Sequence, residues 1–184
     1  MLYFFYELET MTWGYDPKNQ GSAKVFYYDG NLTDLVGTAP AIDLYHEFKL
    51  PEIKLTFNTK DSAPYFEELF PNGTVEECEE YEETIEELNL GEDEEITKLL
   101  GYSDNIQGDM QLECELVTNG LYCRDTSAYE SPRGKELELT KHHWNIVQLA
   151  AVEKAEFELM FGDVGKIYFY IKEEDLQSRN FDNS

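Results

Sequence analysis

Apolar and polar positions alternate toward the two ends of the chain and recur every three or four residues in its middle. The sequence therefore predicts strands on either side of a helical segment. Leu2–Tyr6 is an aromatic-rich run. Residues 13–21 are turn material, and residues 23–28 form a second apolar run closed by Asp29-Gly30. Residues 47–50 lead into Pro51, which interrupts a strand or confines it to an edge. Residues 53–57 (Ile-Lys-Leu-Thr-Phe) carry the period of a half-buried strand. Val75, Cys78, Tyr81, Ile85 and Leu88 then follow at spacings of three or four, which predicts a helix over 75–88. Thr74 and Glu77 stand in the register of a capping box: the Thr oxygen accepts the amide of the third helical residue, and the Glu returns to the cap amide. Gly91 breaks this helix, and residues 93–100 read as a second short one ending at Gly101.

Residues 111–117 alternate again and read as a strand, while 118–135 read as a long loop on their Asn, Gly, Ser and Pro content. Strands are expected over 144–152 and 157–161. Gly162-Asp163-Val164-Gly165 is expected to turn the latter into residues 166–171 as a hairpin. Glu173–Ser178 forms a last helix ahead of the polar tail 180–184. No internal repeat or linker divides the chain. The expectation is one α+β domain over residues 1–184, mainly antiparallel strands with a few segregated helices.

Charge changes this picture more than any single residue does. The 184 residues include 14 Lys+Arg and 39 Asp+Glu, a formal net charge of -25. At 41% hydrophobic and 14% aromatic, the chain is too apolar for a disordered acidic tail. It is long enough to bury one core. Direct binding of DNA or RNA is not expected, because phosphate recognition needs Lys and Arg. No membrane span is expected either, since no apolar run approaches ~20 residues. The apolar opening lacks a basic n-region and meets Glu7 and Glu9 at once, unlike a signal peptide, so a cytoplasmic location is expected. Its direct entry into a strand suggests the loss of a preceding segment.

Residues 66–95 contain 14 acids and no Lys or Arg, so more than half of the net charge lies in under a fifth of the chain. Glu76/Glu80, Glu79/Glu83, Glu82/Glu86 and Glu83/Glu87 are like-charge pairs at i,i+4, each costing about 0.2–0.5 kcal/mol. The glutamates near Leu88 also oppose the helix dipole. Helix stability did not select this composition. It serves either solubility or the docking of a basic partner by electrostatic steering. No calcium-loop pattern accompanies it.

The chemistry-bearing residues form no catalytic set. Cys78, Cys114 and Cys123 make no C-x-x-C pair and read as three reduced thiols. His46, His142 and His143 have no metal-ligating spacing, and neither a G-x-S-x-G elbow nor a phosphate-binding loop occurs. Asp104, Asp109 and Asp163 lie in turn-like segments, where turn hydrogen bonding is the ordinary role of an acid. No metal and no cofactor is expected.

Three segments carry a resemblance. Gly101-Tyr102-Ser103-Asp104-Asn105-Ile106-Gln107-Gly108-Asp109-Met110 resembles the GYPDxIQGDM signature of the YwqG-like proteins, a bacterial family of uncharacterised function. Phe161-Gly162-Asp163-Val164-Gly165-Lys166-Ile167-Tyr168-Phe169-Tyr170-Ile171 resembles their WGDxGxIYFxI hairpin, with Phe161 in place of Trp. Residues 1–6 with Trp13-Gly14-Tyr15-Asp16 are similar to a stretch in the middle of those proteins. The resemblance implies a cytoplasmic bacterial α+β protein, lacking the family's N-terminal half and without known catalytic residues. It also implies an immunity-like role, because some relatives lie near genes for secreted toxins.

The leading expectation is a non-enzymatic soluble binding protein whose acidic face (Glu76, Glu79, Glu80, Glu83, Glu86, Glu87) engages a basic protein partner. The alternative is a small-ligand-binding or enzymatic domain with a cleft near Tyr102, Asp104, Gln107, Asp109 and Asp163. A third reading is a structural subunit completed by another chain.

Overall fold

The computed structural model describes residues 1–37, 54–70, 72–90, 97–105, 110–139, 144–149, 152–154, 157–159, 161 and 165–183. The opening aromatic run is β1 (Leu2–Tyr6), antiparallel to β2 (Ala23–Tyr27), with Leu2 opposite Tyr27 and Tyr6 opposite Ala23. Period-two alternation sends Phe4 inward, its ring 5.1 Å edge-on from Phe169, and Phe5 outward against Phe26 at 5.6 Å. Between the two strands, the Asp16 carboxylate accepts the Lys18 amide at 2.9 Å and Pro17 opens a single 3-10 turn.

A second sheet has the order β3 (Lys98–Leu99), β4 (Trp144–Leu149), β7 (Ile167–Lys172). Both of its pairings are antiparallel, Lys98 opposite Gln148 and Trp144 opposite Lys172. β5 (Val152–Lys154) and β6 (Phe157–Leu159) form a third antiparallel pair. The architecture is the α+β class, with antiparallel sheets and separate helices. The helices are α1 (Phe66–Leu69), α2 (Val75–Glu87), α3 (Met110–Thr118), α4 (Ser127–Glu130), α5 (Pro132–Leu139) and α6 (Glu173–Ser178). Among the described residues, no helix is long and apolar enough to cross a membrane.

Helix α3 joins the helices to the sheet. Leu116, fully buried, packs with Cys123, Ala128 and Leu137. Met110 and Cys114 pack instead against Trp144 and Tyr170. Glu115 reaches Lys172 at the end of β7 at 3.0 Å, and the same ammonium lies 5.1 Å from the centre of the Trp144 ring.

Several elements differ from the sequence expectation. Residues 111–117 are helical rather than extended: Leu112/Leu116, Met110/Cys114 and Glu113/Val117 fit i,i+4 as well as i,i+2, and the Met, Gln, Leu and Glu content favours helix. The expected loop 118–135 contains α4 and the start of α5. Ser131 accepts the Gly134 amide at 2.9 Å and Pro132 occupies the first helical position, so two residues read as loop formers start a helix. Lys98 and Leu99 pair in a strand instead of ending a helix, and residues 93–96 of that expected helix lie outside the described residues. Residues 54–57 belong to no strand, and Leu55 and Phe57 are exposed, since alternation without a partner strand buries neither face. The expected strand 144–152 divides into β4 and the start of β5.

Of the expected hairpin, the described residues show one bridge, and residues 160 and 162–164 lie outside them. Phe161 faces Gly165, whose amide donates to the Phe161 carbonyl at 2.8 Å, while β6 pairs with β5 and β7 with β4. A Cβ on Gly165 would stand 2.3 Å from that carbonyl oxygen, so only glycine fits. Residues 47–50, His46, His142 and His143 lie outside the described residues.

Glu113 on α3 accepts a hydrogen bond from the Tyr129 hydroxyl of α4 at 3.2 Å. Burial raises its carboxyl above the usual range, against a smaller lowering by that bond. A folded-state value above the unfolded one gives stability at low pH that is lost as pH rises through the raised value. Glu113→Gln keeps an acceptor without the desolvated charge. Its urea midpoint is expected to exceed wild type at pH 7 and to converge with it toward pH 4; an advantage independent of pH would refute this.

Candidate functional site

Helix α2 carries the acidic face. Its start is the capping box: the Glu77 amide donates to Thr74 Oγ1 at 3.3 Å and the Thr74 amide to Glu77 Oε2 at 2.8 Å. The Thr74 amide, and then the Thr74 hydroxyl, which donates to the same Oε2 at 3.0 Å, hold the Glu77 carboxyl below its ordinary value. Cys78, Tyr81 and Ile85 form the half-buried side. The Tyr81 hydroxyl donates to the Pro64 carbonyl at 2.6 Å, and its ring lies 5.7 Å from Phe66 of α1. No α2 residue is fully buried.

At 3.6 residues per turn, Glu76, Glu80, Glu83 and Glu87 lie opposite Tyr81 and Ile85, with Glu79 and Glu86 on the flank of the same face. All six are exposed. None forms an ion pair among the described residues, whereas Asp104, Glu115, Glu136 and Glu138 each pair with a lysine or arginine. No basic residue occupies the last turn. Among the described residues, the helix thus presents carboxylates without an ion-pair partner, in a geometry suited to meeting cations on another molecule.

The second set of expected residues has a different placement. Tyr102 is half-buried and Asp104 is 4% exposed; Gln107, Asp109 and Asp163 lie outside the described residues. Asp104 is held from three strand segments. Lys98 Nζ of β3 bonds Oδ1, Gln148 Nε2 of β4 donates to Oδ2 at 2.7 Å, and Lys166 Nζ, just before β7, lies 3.7 Å from Oδ2. Its amide donates to Gln148 Oε1 at 2.9 Å, and its carbonyl accepts the Tyr168 hydroxyl at 2.7 Å. Beside it, Ser103 and Tyr170 hydroxyls donate to Asn105 Oδ1 at 2.6 and 3.3 Å.

Sequence reasoning missed Lys98, Gln148 and Lys166 as partners of Asp104. Gln148 carried a usable signal, a polar residue in an apolar strand, and it is fully buried. Lys98 was hidden by its placement in an expected helix. A cavity of about 40 Å³ lies between the β1–β2 hairpin and the second sheet, lined by apolar side chains such as Phe4, Val25, Val147 and Phe169. That is far below the roughly 300–1,000 Å³ of organic-ligand pockets. Cys123 is no nucleophile at neutral pH, because burial, with the Glu113 charge, pushes its thiol up to about 11.

The family model of the domain of unknown function DUF1963 matches residues 1–184. Searches of the curated proteins and of the solved structures give no match.

If the glutamates are not there for the helix, reversing one should help it. Glu83→Lys converts the repulsive pairs with Glu79 and Glu87 to attractive ones and places a cation toward the helix C-terminus. Its thermal midpoint is expected to equal or exceed that of wild type, measured by circular dichroism at low ionic strength. A clear fall would show that Glu83 has a structural role.

Proposed function

The chain belongs to the DUF1963 family, and from that premise we propose that it is a non-enzymatic binding protein that docks a basic protein partner on the exposed face of α2. The observation that supports this reading is the set of six exposed carboxylates without an ion-pair partner among the described residues. Like charges concentrated on one helix cost local stability and raise the local potential. Such a surface accelerates encounter with a cationic partner and repels nucleic acid. Within the family we place the chain among the YwqG-like proteins, as a cytoplasmic bacterial member, on its Gly101–Met110 and Phe161–Ile171 segments. An immunity-like role, in which the acidic face covers a basic protein, follows from the same reading.

The test is capture of partners from the host lysate on immobilised wild type and on the triple variant Glu79→Lys/Glu83→Lys/Glu86→Lys, followed by kinetics with the captured protein. A basic protein retained by wild type and lost by the variant is expected, with an association rate that falls at least tenfold between low and high salt. Equal capture by both proteins, or a salt-independent association rate, would refute the docking role of α2.

A further inference from the structure

The C-terminal end of the chain closes over a crevice between the β1–β2 hairpin and the second sheet. Helix α6 follows β7 directly and stops at Arg179, whose amide donates back to the Leu176 carbonyl at 3.1 Å. The Asn180 amide reaches the Asp175 carbonyl at 2.8 Å, and its side-chain amide reaches Asp175 Oδ1 at 2.8 Å. These bonds form the turn that ends a helix through one left-handed residue, a place usually filled by glycine. Here that residue is Arg179, at φ +58°. The turn sends the chain across β2, where a last 3-10 turn, Phe181–Asn183, packs on that strand.

The cost of a left-handed arginine is offset by contacts made while this segment lies on the hairpin. The Arg179 guanidinium lies 5.3 Å from the centre of the Tyr27 ring and 3.6 Å from Asp29. Phe181 stacks on the same Tyr27 ring at 5.6 Å, and Asp182 pairs with Lys24 at 3.8 Å. Both ion pairs are open to solvent, with Arg179 62% and Asp182 83% exposed, so salt weakens them. The charge of the whole chain acts the other way: at -25, added salt screens repulsion and favours the compact state. Residues 179–183 are thus held by forces that fade under conditions that tighten the rest of the fold.

Beneath this segment lies the apolar cavity of about 40 Å³, and every residue that lines it is among the described residues. Phe4 and Val25 wall it from the hairpin, Val147 and Ile171 from the second sheet, and Phe181 from the C-terminal segment. Closed, it is too small for an organic molecule. Swinging the Phe181 ring out brings the space toward the roughly 150 Å³ at which a dry apolar cavity binds benzene.

We propose that residues 179–183 are a lid, hinged at Arg179, over a binding site for one small apolar group of the size of an aromatic ring. Opening returns Arg179 to an ordinary backbone conformation, and the ligand takes the place of the Phe181 ring against Phe4, Val147 and Ile171. The sheets stay folded, because their ladders do not pass through the lid. The site is separate from the acidic face of α2 and does not depend on the docking role proposed for it.

Site-resolved hydrogen exchange of the full chain, followed by NMR at low and high sodium chloride, tests the lid. The Asn180 amide reports opening, since its bond to Asp175 needs Arg179 in the left-handed form. Its exchange is expected to be about three- to tenfold faster in high salt, while the amides of the β4–β7 ladder slow or hold constant. The surface variant Lys24→Gln/Asp29→Asn is expected to show the fast rate already at low salt, with no further rise. Toluene, a neutral probe, tests the site. Nuclear Overhauser contacts from its ring to the methyls of Val147 and Ile171 are expected in wild type, with faster Asn180 exchange when it is bound. An Asn180 rate that salt does not raise, or that tracks the β4–β7 ladder, overturns the proposal. So does the absence of toluene contacts, or their presence with Asn180 exchange unchanged.

Discussion

Asp104 is an acidic side chain taken almost wholly out of water, and its burial is tolerable only because three segments converge on it. Lys98 comes from β3, Gln148 from β4 and Lys166 from the entry to β7, while Tyr168 holds the Asp104 backbone carbonyl. The sheet needs such a fastening. β3 has two residues, so its ladder contributes little by itself, and side-chain bonds set where the strand ends and the 101–105 segment begins. Losing one member of a buried charged group costs more than an ordinary contact, because the remaining charges stay buried and unpaired. The Tyr168 and Tyr170 rings, 6.2 Å apart on one side of β7, are placed by the same segment. Phe169, on the other side, closes against Phe4 of the first sheet.

Carboxylates elsewhere obey the opposite rule. On α2 they point to solvent, and what holds the helix is the capping box at one end with Tyr81 and Phe66 beneath. The inner side chains satisfy the packing, so the outer face is free to carry whatever charge function requires. The molecule therefore uses acids in two ways: Asp104 and Glu115 inside, each tied to lysine, and the glutamates of α2 outside, paired with no lysine among the described residues. The first use fixes the fold. The second is available to a partner.

Much of this was legible in the residue pattern, for identifiable reasons. β1, α2 with its cap, β7 and α6 are encoded locally, by period, capping chemistry and β-branched or aromatic content. The acidic face was legible as well, because a helix places i, i+4 and i+7 together without help from the rest of the chain. Helix α3 was misread because Leu112, Cys114 and Leu116 satisfy both periods, and tertiary packing of Leu116 decides between them. Ser131 and Pro132 have the composition of a loop yet begin α5. The Asp104 cluster was out of reach: its partners lie 6, 44 and 62 positions away, and no local rule pairs an acid with lysines at such separations. The resemblance drew attention to Gly101–Met110 and Phe161–Ile171, but not to the contact between them.

Equilibrium urea denaturation of Asp104→Asn tests most directly whether this buried carboxylate fastens the sheet. The substitution preserves shape and leaves Lys98 and Lys166 without their counter-charge. A loss of about 3–5 kcal/mol is expected, the range for breaking a buried ion pair. A stability within about 0.5 kcal/mol of wild type would contradict the account, since the lysines would then need no carboxylate between them.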